Sequence, residues 1–231
     1  SRWSLERAWP TWGFGPEVGE PYEDVRYPIG SVAQLVASFP AYVSTGRGSG
    51  ERRGGDGGGG QSGDRNSTPV TPTATTTGTQ AGPTAATAGR RFASPRETAA
   101  LAALLEHVGP AVLLVHSAGG GSGFAAARTV PNLVERIVAV EPVGCPTDSQ
   151  TVAAMGDGAP FLGVYGDYVA ARGQTGRRAA CRTTVDLAGE TSDASALLSL
   201  PDEGITGNTH LMMQDDNNGA IADRIVAWIG A

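Results

Sequence analysis

The chain lacks a surplus of basic residues, a long apolar run and a cysteine framework. Each shortage removes a class of function. Lys and Arg total 17 against 23 Asp and Glu, a net charge of −6 over 231 residues. A protein that neutralises nucleic-acid phosphates carries the opposite balance, so no nucleic-acid partner is expected. No stretch approaches the roughly 18 uncharged apolar residues of a membrane-crossing helix, so no membrane span is expected. Residues 1–30 hold no basic stretch followed by an apolar run, so no secretory leader is read there. Only two cysteines occur, Cys145 and Cys181, at no metal-binding spacing. Two small buried thiols are preferred to a disulfide between them. No metal and no organic cofactor is implied.

What is present divides into three stretches. Residues 1–44 are rich in Trp, Tyr and Pro and are expected to pack on the core that follows. Residues 45–92 are mostly Gly, Thr, Ser, Arg and Pro, with Val70 the one sizeable aliphatic before Phe92. Such a stretch buries too little apolar surface to offset its ordering entropy and reads as a disordered insert. Residues 93–231 carry regular patterning. Ser94 and Glu97 form a capping box with Pro95 at the first helical position. Leu101, Leu104, Leu105 and Val108 follow at helical spacing, and Gly109-Pro110 stops the helix. Ala111–Val115 is a continuous apolar run of strand length, as in the middle of a parallel sheet. Helix Gly121–Thr129, strands Ile137–Val140, Phe161–Tyr165 and Ala196–Leu200, and helix Ala220–Ile229 continue the alternation. The fold class is therefore α/β, a parallel sheet with helices on both faces.

One junction carries chemistry. In Val115-His116-Ser117-Ala118-Gly119-Gly120 a serine directly follows a buried strand and directly precedes a helix. Small neighbours permit the sharp turn that lifts a nucleophilic hydroxyl above the sheet. The helix N-terminus favours developing negative charge, and the N–H of Ala118 would be one oxyanion donor. Val115 stands where the usual Gly-x-Ser-x-Gly pattern has its first glycine, while Gly119 keeps the second. A plain strand-to-helix turn would present the same residues. A base must come from three histidines. His107 falls near a helix end, and His116 should face away from its neighbour Ser117 by strand alternation. His210 follows the last strand, at the sheet end where functional groups collect. Glu141 and Asp167 each end a strand, and either carboxylate would orient the imidazole. Trp3, Trp9, Trp12 and Phe14 would line an acyl pocket or, preferably, pack as a flap of core.

Val115–Gly123 (VHSAGGGSG), Ala139–Pro146 (AVEPVGCP) and Gly204–Asn217 (GITGNTHLMMQDDN) resemble blocks of microbial serine esterases of the α/β-hydrolase superfamily. Trp9–Tyr22 (WPTWGFGPEVGEPY) is similar to a segment that precedes the elbow there. The resemblance implies Ser117 as nucleophile, His210 as base, and Glu141 rather than Asp167 as acid, acting on a small-molecule ester. One departure stands out. Such hydrolases have earlier strands and a His-Gly loop that supplies a second oxyanion donor; residues 1–92 offer neither. The chain thus reads as the C-terminal half of the fold, with an apolar sheet edge left open. The alternative is a truncated, inactive hydrolase-like protein that binds a partner or self-associates through that edge.

Overall fold

The computed structural model describes residues 3–39, 93–156 and 158–231, so the insert expected at 45–92 lies outside the described residues. Helix α1 spans Leu5–Trp12. It opens on the Ser4 hydroxyl, which accepts from the Arg7 N–H, and closes on Gly13 at φ 82°. Helix α2 covers Val32–Ser38. Before residue 40 the only pairing among the described residues is an isolated bridge between Glu17 and Glu20. Helix α3, Pro95–Val108, begins at Ser94 and stops at Gly109, φ 88°. Ser94 caps as expected, its hydroxyl accepting from the Glu97 N–H at 3.4 Å. The reciprocal half of the box differs from expectation. The Ser122 hydroxyl stands between the partners, accepting from the Ser94 N–H at 3.1 Å and donating to the Glu97 carboxylate at 2.8 Å. The cap thereby ties α3 to the helix that carries Ser122.

The remaining elements alternate. They are β1 (Ala111–His116), α4 (Gly119–Thr129), β2 (Val134–Val140), α5 (Ser149–Ala153), β3 (Phe161–Tyr165), α6 (Thr175–Gly189), β4 (Ala196–Ser199) and α7 (Asn218–Ile229). The last strand ends one residue earlier than expected, because Leu200 enters a tight turn with Pro201. The four strands are parallel in the order β1-β2-β3-β4. His116 aligns with Val140, Val140 with Val164, and Tyr165 with Ser199. The carboxyl ends therefore lie level, and the loops leaving them gather on one rim.

Strand alternation sorts the core into two faces. Leu113, Val115, Ile137, Ala139, Phe161 and Tyr165 join Phe124 of α4 and Cys181 and Val185 of α6 on one face. Val138, Val140, Leu162 and Val164 join Leu200, Met212 and Ile221 on the other, with Ile225 and Trp228 of α7 against them. Leu114, on that second face but at the β1 edge, is 55% exposed. Among the described residues β1 is an end strand of the sheet. No helix among the described residues is long and apolar enough to cross a membrane.

A third cluster belongs to the N-terminal segment. Trp9, Trp12, Phe14, Tyr27 and Val32 are buried together with Leu211, the residue after His210. Trp9 and Trp12 each meet Phe14 edge to face, the favoured geometry for aromatic quadrupoles. Both cysteines are free thiols, with Cys181 buried. Hydrogen bonding to Cys181, and then burial, push the Cys145 thiol well above its ordinary range, which keeps it un-ionised.

Candidate active site

Three residues from three different loops meet at the carboxyl rim. Ser117 leaves β1 with φ 49°, and Glu141 leaves β2 with φ 39°. Positive φ at two non-glycine residues costs on the order of 1–3 kcal/mol each and persists only where surroundings enforce it. Here the backbone does so. The Ser117 N–H donates to Val140 C=O, the Val143 N–H donates to Ser117 C=O, and the Glu141 N–H donates to Val164 C=O.

The local sequence explains the tightness. A Cβ on Gly120 would lie 2.6 Å from the Val143 carbonyl oxygen and 2.9 Å from Pro142 Cβ. Helix α4 therefore approaches the loop carrying Glu141 more closely than any larger residue allows. Gly119, the glycine kept from the usual pattern, faces open space. Val115, the residue that breaks the pattern, packs where a Cβ on Gly123 would collide with it. The missing glycine of the strand is thus compensated by one on the helix. Gly120→Ala should destabilise the fold by about 1–3 kcal/mol, while Gly119→Ala should be neutral. Urea denaturation of the two variants checks the contrast.

The polar geometry is continuous. His210 Nε2 lies 2.8 Å from Ser117 Oγ, and His210 Nδ1 lies 2.6 Å from Glu141 Oε2. The other carboxylate oxygen of Glu141 accepts from Arg172 at 2.7 Å and from the Gly166 N–H at 3.1 Å. Glu141 and Arg172 are both buried. Burial alone would raise the Glu141 carboxyl. The hydrogen bond to His210 and the charge of Arg172 outweigh it, so the group titrates below its ordinary value and stays ionised.

Asp167 lies elsewhere in the rim. Its carboxylate accepts from the Asn208 N–H at 3.0 Å, and its own N–H donates to Asn208 C=O. It braces the His210 loop two residues upstream and has no hydrogen bond to the imidazole. Burial, the largest influence, raises its carboxyl above the ordinary value. His107 is exposed in the last turn of α3. His116 does not face away as alternation predicted. Ser117 departs from strand geometry, and the His116 ring lies 4.7 Å from that of His210, with Nε2 2.8 Å from the His210 carbonyl oxygen. Burial, then the neighbouring His210, lower its pKa, so it is neutral and donates to that carbonyl.

The loop around His210 is fastened by residues of the Gly-Asn-x-His block. Asp215, buried, accepts from the Thr209 N–H and hydroxyl, each at 2.8 Å, and from Asn208 Nδ2 at 3.2 Å. The N-terminal segment completes the seat. The His210 N–H donates to Trp12 C=O at 2.8 Å, and the Arg26 N–H donates to Gly207 C=O at 2.8 Å. Tyr22 stacks on Tyr168 at 4.0 Å, and the Tyr168 hydroxyl donates to Asp24 at 2.6 Å.

A cavity of about 330 Å³ opens beside Ser117, within the size range of small-molecule sites. Ala118 lines it, as do Trp3 and Trp12. Trp12 therefore serves both as core and as cavity wall, whereas Trp9 and Phe14 belong to the core cluster alone. Sequence reasoning missed Arg172. Its neighbours Ala171, Gly173 and Gln174 carry no pattern that distinguishes it from the other arginines. Among the described residues no cluster of His, Cys, Asp and Glu could hold a metal ion.

No family model matches the chain. A curated relative, probable secreted lipase phiG from a fungal species (strain ATCC 74256), is 27% identical over 180 residues, covering 57% of this chain and 49% of that protein. A bacterial esterase of known structure superposes with a TM-score of 0.69 at 26% identity, covering 98% of this chain and 57% of that one. The chain spans about half the length of each. The parallel sheet, its flanking helices and these likenesses together show a fold of the α/β-hydrolase type, similar to esterases and lipases.

Proposed function

We propose that the chain is a serine-dependent carboxylic ester hydrolase. The reading rests chiefly on one observation, the unbroken relay from Ser117 Oγ through His210 to Glu141. His210 Nε2 takes the hydroxyl proton as Ser117 Oγ bonds to the ester carbonyl carbon. The carbonyl oxygen becomes an oxyanion, held by the N–H of Ala118 at the start of α4. Collapse expels the alcohol, which takes the proton back from His210. Water then adds to the acyl group, giving its proton to His210, and release of the carboxylic acid restores Ser117. Glu141 remains ionised throughout, fixing the tautomer and stabilising the imidazolium. Arg172 keeps that carboxylate charged and oriented.

A fluorophosphonate probe followed by intact-mass measurement tests this. The expected result is one adduct, absent in Ser117→Ala. A protein folded by circular dichroism yet unlabelled overturns the reading. The better account would then be an inactive fold that binds a partner or a second copy along the open β1 edge, where Leu114 is exposed.

A further inference from the structure

We infer that Thr209 and Asp215 form one positioning unit that aims the His210 imidazole at Ser117, an inference that rests on the ester-hydrolase reading above. No strand or helix supplies the backbone of His210, which stands in the connection between β4 and α7. Its two ring nitrogens meet Ser117 Oγ at 2.8 Å and Glu141 Oε2 at 2.6 Å. Contacts that short hold only while the Cα stays in place. The His210 N–H donates to Trp12 C=O, and its carbonyl accepts from His116 Nε2. The peptide groups before and after His210 need their own partners.

The Thr209 hydroxyl serves both sides. It accepts from the Leu211 N–H at 3.1 Å, so it reaches across His210, and it donates to Asp215 Oδ1 at 2.8 Å. Asp215 Oδ2 accepts from the Thr209 N–H at 2.8 Å and from Asn208 Nδ2 at 3.2 Å. Asn208, Thr209 and Leu211 are thereby tied, directly or through one hydroxyl, to a single carboxylate. Asn208, Thr209 and Asp215 are all buried. The three donors that hold Asp215 are neutral. Burying a carboxylate without a cation is costly, and an apolar side chain would fill the space without that cost. What the carboxylate supplies is direction. It engages the N–H and the hydroxyl of the same residue, which fixes the Thr209 peptide plane and rotamer together. Neither Thr209 nor Asp215 is hydrogen-bonded to Ser117 or lines the cavity beside it, so both act through His210.

Kinetics with p-nitrophenyl butyrate test this, with active sites counted by the fluorophosphonate probe. Thr209→Val keeps the volume and removes the hydroxyl. It should lower kcat per labelled site by about 10- to 100-fold, the scale of a small misplacement of a catalytic group, with KM changed by less than about twofold. The rate of labelling at Ser117 should fall by a similar factor. Thr209→Ser, which restores the hydroxyl, should recover most of the loss. Asp215→Asn should also lower kcat with KM unchanged. The double variant Thr209→Val/Asp215→Asn should lose no more than the worse single variant, because the two residues act as one. A purely structural role would lower the melting temperature and leave kcat per labelled site unchanged. That outcome, additive losses in the double variant, or a Thr209→Ser no more active than Thr209→Val would overturn the positioning unit while leaving the esterase reading standing. If Thr209→Val fails to fold, Asp215→Asn decides alone, and an unchanged kcat per labelled site overturns the inference. A wild-type protein that is neither labelled nor hydrolytic overturns both readings.

Discussion

Replacing His210 with alanine should lower kcat for p-nitrophenyl butyrate by about a million-fold, the scale seen when the base of such a relay is removed from a serine hydrolase. A serine hydroxyl is a weak nucleophile until its proton has somewhere to go, and on the reading proposed above His210 Nε2, 2.8 Å away, accepts it. The second histidine is the control. His116 is neutral and its Nε2 is engaged with the His210 carbonyl, so it has no access to the Ser117 proton through that atom. His116→Gln should consequently cost far less, through a slightly displaced loop. Initial rates for both variants, with circular dichroism to verify folding, decide the assignment. A loss below about a hundredfold in His210→Ala would mean that another group takes the proton.

Arg172→Met should destabilise the protein by about 3–5 kcal/mol at neutral pH, because it removes the cationic partner of a buried carboxylate and leaves it only His210 and the Gly166 N–H. The sign with pH follows from the direction of the Glu141 shift. In the wild type the folded carboxyl titrates below its ordinary value. Its stabilisation is therefore complete above that ordinary value and is lost as pH falls through the lower folded one. In Arg172→Met, burial is no longer offset by the guanidinium, so the carboxyl moves upward. The deficit against wild type should be largest at neutral and alkaline pH and shrink on acidification, as Glu141 becomes protonated in the variant. The double variant Glu141→Gln/Arg172→Met should lose less stability than Arg172→Met alone. Urea denaturation at several pH values reads both effects, and a deficit independent of pH would contradict the account.

Much of the sheet was legible because its strands are apolar on both faces. Phe161–Tyr165 emerges with the bounds its sequence suggested, and Ala196 opens β4 as expected. Helix α6 was not legible. Its buried residues, Cys181, Thr184, Val185 and Ala188, have helical spacing but include one aliphatic of any size. The short α1 was hidden for a different reason, since Pro10 lies inside it. At the site, Ser117, His210 and Glu141 could be proposed from strand ends together with a family likeness, and the structure brings these three side chains together. The ion pair behind them could not be foreseen. Arg172 is 31 residues from Glu141 and lies in a loop without periodicity. The side of Ser117 on which His116 lies depends on a backbone departure from the strand, which alternation does not anticipate.

The hydrogen bond from the His210 N–H to the Trp12 carbonyl has a consequence for biosynthesis. Translation produces Ser117 93 positions before His210, and Trp12 earlier still. The sheet around β1, β2 and β3 can form from neighbouring segments, while the seat of the imidazole requires a very long loop to close. A growing chain would therefore expose a folded elbow bearing an inert serine. On the reading proposed above, Ser117 would gain its proton acceptor only in a late step, when the His210 loop docks against the waiting aromatic segment.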